Sequence, residues 1–363
     1  MSRPSITDLE RKYLLDAFDS GWISSLGDYV VRAEDQLTTI ASSAHAAVVS
    51  NGTAALHLAL LGLDIGPGDE VIIPSTTYVA TLNAVLYVGA LPVIVDVDPI
   101  TWCIDSEAVR EALTTNTRAV IAVDLYGHPA DYVLLKELCG QAGVLLIADA
   151  AESIGGSLHG MPVGVLADVS TFSFFGNKVV TSGEGGAIVT EDAELDRRVR
   201  KLRNQGNHEN RRYFHDVLGY NYRMTNLAAA ILCAQLERIP DLLSARQRVV
   251  DHYDRLFEGS PALTPQGRAP GASASPWMYS VQVEGAAAAQ RDEIMLKLRT
   301  EGIETRPVFN TVQSMPYLTD FRAHPTPIAH NLAKSGLSLP TFPAMKPDEV
   351  EYVASSLLRA CAL

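Results

Sequence analysis

The sequence predicts an α/β protein in which a mostly parallel sheet is sandwiched by helices in a large domain, followed by a smaller C-terminal α+β domain. Short, continuously apolar runs such as "EVIIPS", "LPVIVDV" and "VLLIADAA" recur through the first two thirds of the chain. Segments of helical length separate them. Strands apolar on both faces and joined by helices form βαβ units around a buried parallel sheet. A Pro/Gly/Ser/Ala-rich patch, "GSPALTPQGRAPGASASP", then marks a change of composition before the smaller domain.

The elements follow in chain order. "AAVVS" ends a strand at Ser50, and "TAALHLALLGL" is a helix. "EVIIPS" is a strand, "YVATLNAVLYVGA" a helix, and "LPVIVDV" the next strand. "DSEAVREAL" is a helix opened by Asp105 as N-cap. "AVIAVDLYG", "YVLLKELCGQAG" and "VLLIADAA" continue as strand, helix and strand. "GYNYRMTNLAAAILCAQLERIPDLLSARQRVVDHYDRLF" reads as two helices broken near Pro240. Beyond the patch come a strand, "WMYSVQVEG", a helix, "AAAAQRDEIMLKLRTEG", and a last helix from Pro347. These place a large domain over residues 1–250 and a small one over 251–363.

Bulk properties narrow the function. A chain of 363 residues with 47% hydrophobic and 20% charged residues is an ordinary globular protein. No apolar run approaches the roughly twenty residues of a membrane helix, and "MSRPSITDLERKYLL" lacks a signal-peptide core. A cytoplasmic chain with no membrane partner is expected. The net charge of −13 argues against nucleic acid, which needs a basic face, but leaves room for a small phosphorylated ligand held locally. Cys103, Cys139, Cys233 and Cys361 are scattered without paired spacing, which suits neither a zinc site nor a disulfide framework.

Ligands of parallel sheets gather at the carboxyl ends of the strands, so the strand ends hold the candidates. Ser50-Asn51-Gly52-Thr53 opens a helix, whose first amides and positive dipole end suit a phosphate; taken alone, Ser50 or Thr53 acting as a simple cap is the stronger reading. Asp149 closes an apolar strand, with Glu152 three residues on. It is a cap, or it faces a cationic ligand nitrogen, and the residues do not choose between these. Lys178 follows "TFSFFGN" and precedes three glycines around Glu184. It is a loop cation, or a Schiff-base nucleophile desolvated among Phe174, Phe175 and the glycines. The combination decides. A phosphate cup, a strand-end acid and a buried amine, in that order along a parallel sheet, are the fixtures of a pyridoxal 5'-phosphate (PLP) site.

The stretches "SGWISSLGDYV", "VSNGTAALHLALLGLDIGPGDEVIIPSTTYVATLNAV", "DLYGHPAD", "DAAES", "SFFGNKVVTSGEGGAIVT", "HDVLGYNYRMTNLAAAILCAQLERI" and "GIETRPVF" run in order from about Gly21 to Phe309. Through them the chain resembles the DegT/DnrJ/EryC1/StrS family of nucleotide-sugar aminotransferases, within the fold-type I PLP enzymes. The resemblance implies that Lys178 is the Schiff-base lysine, that Asp149 holds the pyridine nitrogen protonated, and that Glu152 sits near the ring hydroxyl. It implies that Gly52, Thr53 and Ser173 hold the phosphate and that Tyr78 stacks on the ring. Asn221 would reach the phosphate from a neighbouring copy, so a homodimer shares its sites. Trp22, Ser24 and Ser25 would line the nucleotide entrance, and His128 and Arg306 would meet substrate. L-glutamate would be the amino donor. The nucleotide-linked keto-deoxysugar would be GDP-4-keto-6-deoxy-D-mannose, converted to GDP-perosamine. A UDP- or dTDP-linked keto-deoxysugar, giving a 3- or 4-amino sugar, is the alternative.

Some relatives remove a sugar hydroxyl and carry histidine at the position of Lys178; the lysine favours transamination. "STTYVAT" and "VFNTVQS" depart from the family's wording, which leaves the sugar's identity open if they line the acceptor pocket. A nicotinamide oxidoreductase would want Gly-x-Gly-x-x-Gly after the first strand, where this chain has Ser50-Asn51-Gly52-Thr53. A non-catalytic PLP-binding relative is countered only by the intact chemical positions.

Overall fold

The computed structural model describes residues 2–362. The chain opens with helices α1 (Asp8–Asp19) and α2 (Asp28–Ala41), which pack on the later helix α8 (Asn226–Glu237). It then alternates strictly: β1 (His45–Val49), α3 (Gly52–Gly62), β2 (Glu70–Pro74), α4 (Ala80–Tyr87), β3 (Leu91–Val95), α5 (Ser106–Ala112), β4 (Thr117–Val123), α6 (Tyr132–Ala142) and β5 (Leu145–Asp149). Asp105 caps α5 as expected, its carboxylate accepting from the Glu107 amide at 2.9 Å. A short hairpin, β6 (Ser157–Leu158) and β7 (Met161–Pro162), leads to β8 (Val169–Ser173) and β9 (Gly186–Thr190).

The large sheet has the order β1-β9-β8-β5-β4-β2-β3-β14, where β14 (Arg322–Ala323) returns from far along the chain. Only β9 runs against the rest. Its strands are buried almost without a break, as a sheet covered on both faces requires. Apolar clusters lie on each side, one including Trp102, Phe172 and Leu37, the other Leu58, Ile73 and Leu82. The single antiparallel strand matters for the site. Residues 174–185 connect β8 to β9 as a loop at the carboxyl edge instead of a helical crossover, and Lys178 sits in that loop.

After α7 (Ala193–Arg203), α8 (Asn226–Glu237) ends just before Pro240, and α9 (Ile239–Phe257) begins with that proline in its first turn. The break near Pro240 is therefore real, and α9 runs on through Asp251 without interruption. A third apolar cluster joins the second half of α9 to β10 (Leu263–Pro265), β12 (Tyr279–Val283), α10 (Arg291–Thr300), β15 (Gly336–Leu339) and α12 (Pro347–Cys361). β10, β12, β15 and β13 (Arg306–Pro307) make a small antiparallel sheet. β11 (Ala272–Ser273) pairs with β6, while α11 (Pro327–Ser335) packs Ala329 and Leu332 into the first cluster. No helix among the described residues is long and apolar enough to cross a membrane.

Candidate active site

A cavity of about 560 Å³ opens at the carboxyl ends of β1, β2, β4, β5 and β8. It is the place where doubly wound sheets take ligands. Gly52, Thr53, Tyr78, Asp149, Glu152, Ser173, Lys178 and Arg306 all line it. Residues more than 250 positions apart in sequence thus share one wall.

Its first rim is the start of α3. The cap is Asn51, whose side-chain oxygen accepts from the Ala54 amide at 2.8 Å, and not Ser50 or Thr53. Asparagine wins because its backbone is extended, which lets the side chain turn back over the first turn. Gly52 and Thr53 are thereby left at the open, positive helix end. A Cβ on Gly52 would lie 2.9 Å from the Ser173 Cβ, and one on Gly186 2.6 Å from the Asn51 carbonyl carbon. No side chain fits at either place, so the first turn of α3 lies directly against β8 and β9, with Gly52, Thr53 and Ser173 on the cavity wall.

Asp149 is 5% exposed. One carboxylate oxygen accepts from the Thr81 hydroxyl at 2.8 Å and the other from the Ala151 amide at 3.3 Å. Burial pushes its carboxyl above the ordinary range, opposed by the Thr81 hydrogen bond and the charge of Lys178. A cation beside it would restore the carboxylate. Glu152 is also raised by burial, opposed chiefly by Lys178. It accepts from the Tyr126 amide at 2.7 Å and from Lys178 Nζ at 3.3 Å.

The expected setting of Lys178 is corrected. Phe174 is buried in the core, and Phe175 is half exposed on the wall of the same cavity. Lys178 Nζ instead stands 3.8 Å from the ring centroid of Trp277, opposite Glu152. Of the glycines that follow it, Gly183 faces open space, whereas a Cβ on Gly185 would meet Ser182 Oγ, and Met224 Cε at 2.7 Å. Backbone bonds from Lys178 to Phe175 and from Ser182 to Phe174, both 3.0 Å, fix the loop.

His128 lies outside the cavity. Its Nδ1 pairs with the Pro129 carbonyl at 2.7 Å and its Nε2 accepts from the Ala269 amide at 3.0 Å, which leaves the ring nothing for a substrate. Trp22, Ser24 and Asn221 are exposed and away from this chain's cavity. The carbonyls of Trp22 and Ser24 accept from Asn226 at 2.7 and 2.5 Å. Residues that sequence reasoning missed are Trp277, Tyr126, Thr81 and Phe309. Tyr126 sits in the left-handed region, φ 54°, in the turn that follows β4. The two segments that depart from the family wording lie side by side. The Val312 amide donates to the Ser75 carbonyl and the Ser75 hydroxyl to Gln313, both at 2.9 Å, while Tyr78 and Phe309 face each other at 5.7 Å.

The donor set fits PLP: a cradle for a phosphate, a buried carboxylate for a cationic ring nitrogen, and an amine for an aldehyde. Residues 4–358 match the DegT/DnrJ/EryC1/StrS aminotransferase family. The chain belongs to that family. It is 41% identical over 356 residues to a GDP-perosamine synthase of Escherichia coli O157:H7, covering 98% of this chain and 96% of that one. A GDP-perosamine synthase of Caulobacter vibrioides is 41% identical over 359 residues, again with 98% and 96% covered. A Streptococcus pneumoniae protein solved in a PLP-form superposes with a TM-score of 0.93 at 28% identity, covering 99% of this chain and 97% of that one.

Proposed function

We propose that the protein is a PLP-dependent aminotransferase that moves the amine of L-glutamate onto the keto carbon of GDP-4-keto-6-deoxy-D-mannose, giving GDP-perosamine. The observation that carries this is the placement of Lys178 between Glu152 and Trp277, facing Asp149, in a chain so similar to GDP-perosamine synthases over nearly its full length.

Bound PLP supplies an electron sink that makes a carbon–hydrogen bond next to nitrogen acidic. The chain's residues do the rest. Gly52, Thr53 and Ser173 would hold the phosphate at the N-terminal end of α3. Asp149, buried and anchored by Thr81, would keep a proton on the ring nitrogen. Glu152 would lie by the ring hydroxyl and Tyr78 against the ring. Lys178 Nζ would be the group that takes up and returns the proton. Asn221 enters from a second copy, which makes the working form a homodimer in the cytoplasm. Arg306, half exposed on the cavity wall, meets a substrate phosphate, and Trp22 and Ser24, away from this chain's own cavity, border the nucleotide in the second copy's site.

The test is release of 2-oxoglutarate from glutamate by the full-length protein, given GDP-, UDP- and dTDP-linked 4-keto-6-deoxyhexoses in turn. The GDP-linked sugar should react best. Turnover confined to a UDP- or dTDP-linked sugar would reassign the nucleotide, and no turnover with any would overturn the reading.

A further inference from the structure

We propose that Trp277 is a positioning residue for Lys178: its indole face holds the free ε-ammonium beside Glu152, and its N–H fixes the backbone from which the lysine springs. The inference rests on Lys178 being the reacting amine.

The geometry is specific. Lys178 Nζ lies 3.8 Å from the Trp277 ring centroid, and the lysine side chain is only 12% exposed. A desolvated cation over indole is the strongest of the common cation–π pairs. The same tryptophan donates its Nε1–H to the Asn177 carbonyl at 2.9 Å, the residue before the lysine. That carbonyl also accepts from the Ser2 hydroxyl at 2.9 Å.

Trp277 is itself immobilised. It is 3% exposed, stacks on Tyr126 at 6.1 Å, and its carbonyl accepts from the buried Arg246 guanidinium at 2.9 Å. Among the described residues Arg246 has no carboxylate partner: it donates to the carbonyls of Trp277 and Thr341 and to the Ser2 hydroxyl. A fully buried guanidinium spent on two carbonyls and a hydroxyl reads as a fastening for this wall.

The role follows from the reaction. Whenever the donor's amine has displaced it, Lys178 must stay close by, taking the proton as the neutral amine and giving it back as the ammonium. Glu152 and Asp149 are the charged groups that face it. Trp277 adds attraction without adding a second acceptor that would compete for the proton. It also blocks the direction in which a long, flexible side chain would otherwise leave.

The test is trace acetylation of the full chain stripped of cofactor, read by mass spectrometry at Lys178 across pH, with exposed Lys136 as internal reference. Opening the site by removing the ring multiplies the labelling rate by one factor at every pH. Losing the ring's attraction instead displaces the whole profile along the pH axis. Trp277→Leu should move the Lys178 profile down by about 0.5 to 1 pH unit. Trp277→Phe, which keeps an aromatic face but loses the N–H, should move it by about half as much. Superimposable profiles for wild type and Trp277→Phe would overturn the proposal even if Trp277→Leu fails to fold. Borohydride reduction of the holoenzyme is the separate control. Cofactor fixed on another residue would sink the proposed function and leave the Trp277 measurement standing.

Discussion

The carboxyl ends of β4 and β5 each present a buried aspartate, Asp124 and Asp149, on neighbouring strands of one sheet. Both are almost free of solvent and both carboxyls are raised by burial. Their partners differ. Asp124 accepts from the Ala130 amide at 3.0 Å, the Tyr132 hydroxyl at 2.7 Å and the Ser153 hydroxyl at 2.5 Å, all within the protein. Asp149 has the Thr81 hydroxyl and one long amide contact, and it borders the cavity beside Lys178. A strand-end acid whose donors are all internal shapes the fold; one left short of donors beside an opening is available to a ligand. The network on Asp124 ties down the turn that carries Tyr126, whose amide in turn holds Glu152. Asp124 thus acts at one remove from the cavity.

Exchanging the two side chains' chemistry separates the roles. Asp149→Asn should lower turnover roughly 10- to 100-fold, the value of a hydrogen bond to a charged group, with the urea midpoint little changed. Near-normal turnover would make Asp149 structural like its neighbour.

Asp124→Asn should act on stability and its pH dependence. Burial pushes the Asp124 carboxyl up to about 7 from its ordinary 3.8, so the folded chain binds this proton more tightly than the unfolded chain does. Stability from this group is present at low pH and is lost as pH rises from about 4 to about 7, with a slope of up to about 1.4 kcal/mol per pH unit. The variant should remove that slope between about pH 5 and about pH 7 in urea unfolding; an unaltered slope would contradict the assignment.

Smaller effects sharpen the contrast. Ser153→Ala should cost about 1 kcal/mol of stability and leave kcat near wild type. Thr81→Val should do the reverse, lowering kcat about fivefold with little change in stability. If both variants changed stability alone, the distinction between the two aspartates would dissolve.

The same contrast explains what was legible in the sequence. Gly52, Thr53, Asp149 and Lys178 each follow an apolar strand, and strands of one parallel sheet deliver their ends to one edge. Order along the chain therefore gave their proximity. The break at Pro240 and the cap at Asp105 were legible for local reasons. Trp277 was not, because it reaches Lys178 only when the chain folds back about a hundred residues later, and nothing in "SPWMYS" records that return. Tyr126 was hidden by a left-handed turn at a non-glycine position. His128 misled because a loop histidine beside a strand end looks the same whether its nitrogens meet backbone or ligand. The true cap, Asn51, lies one position from Ser50 and two from Thr53, within what local propensity resolves.

The central claim is that Lys178 is the amine that holds the coenzyme. Borohydride treatment of the PLP-loaded protein, followed by peptide mapping, tests it most directly. The account predicts that the phosphopyridoxyl mass sits on the peptide containing Lys178 and disappears from Lys178→Ala, which still folds. Coenzyme mass on any other lysine, or an unchanged map in the variant, would contradict it.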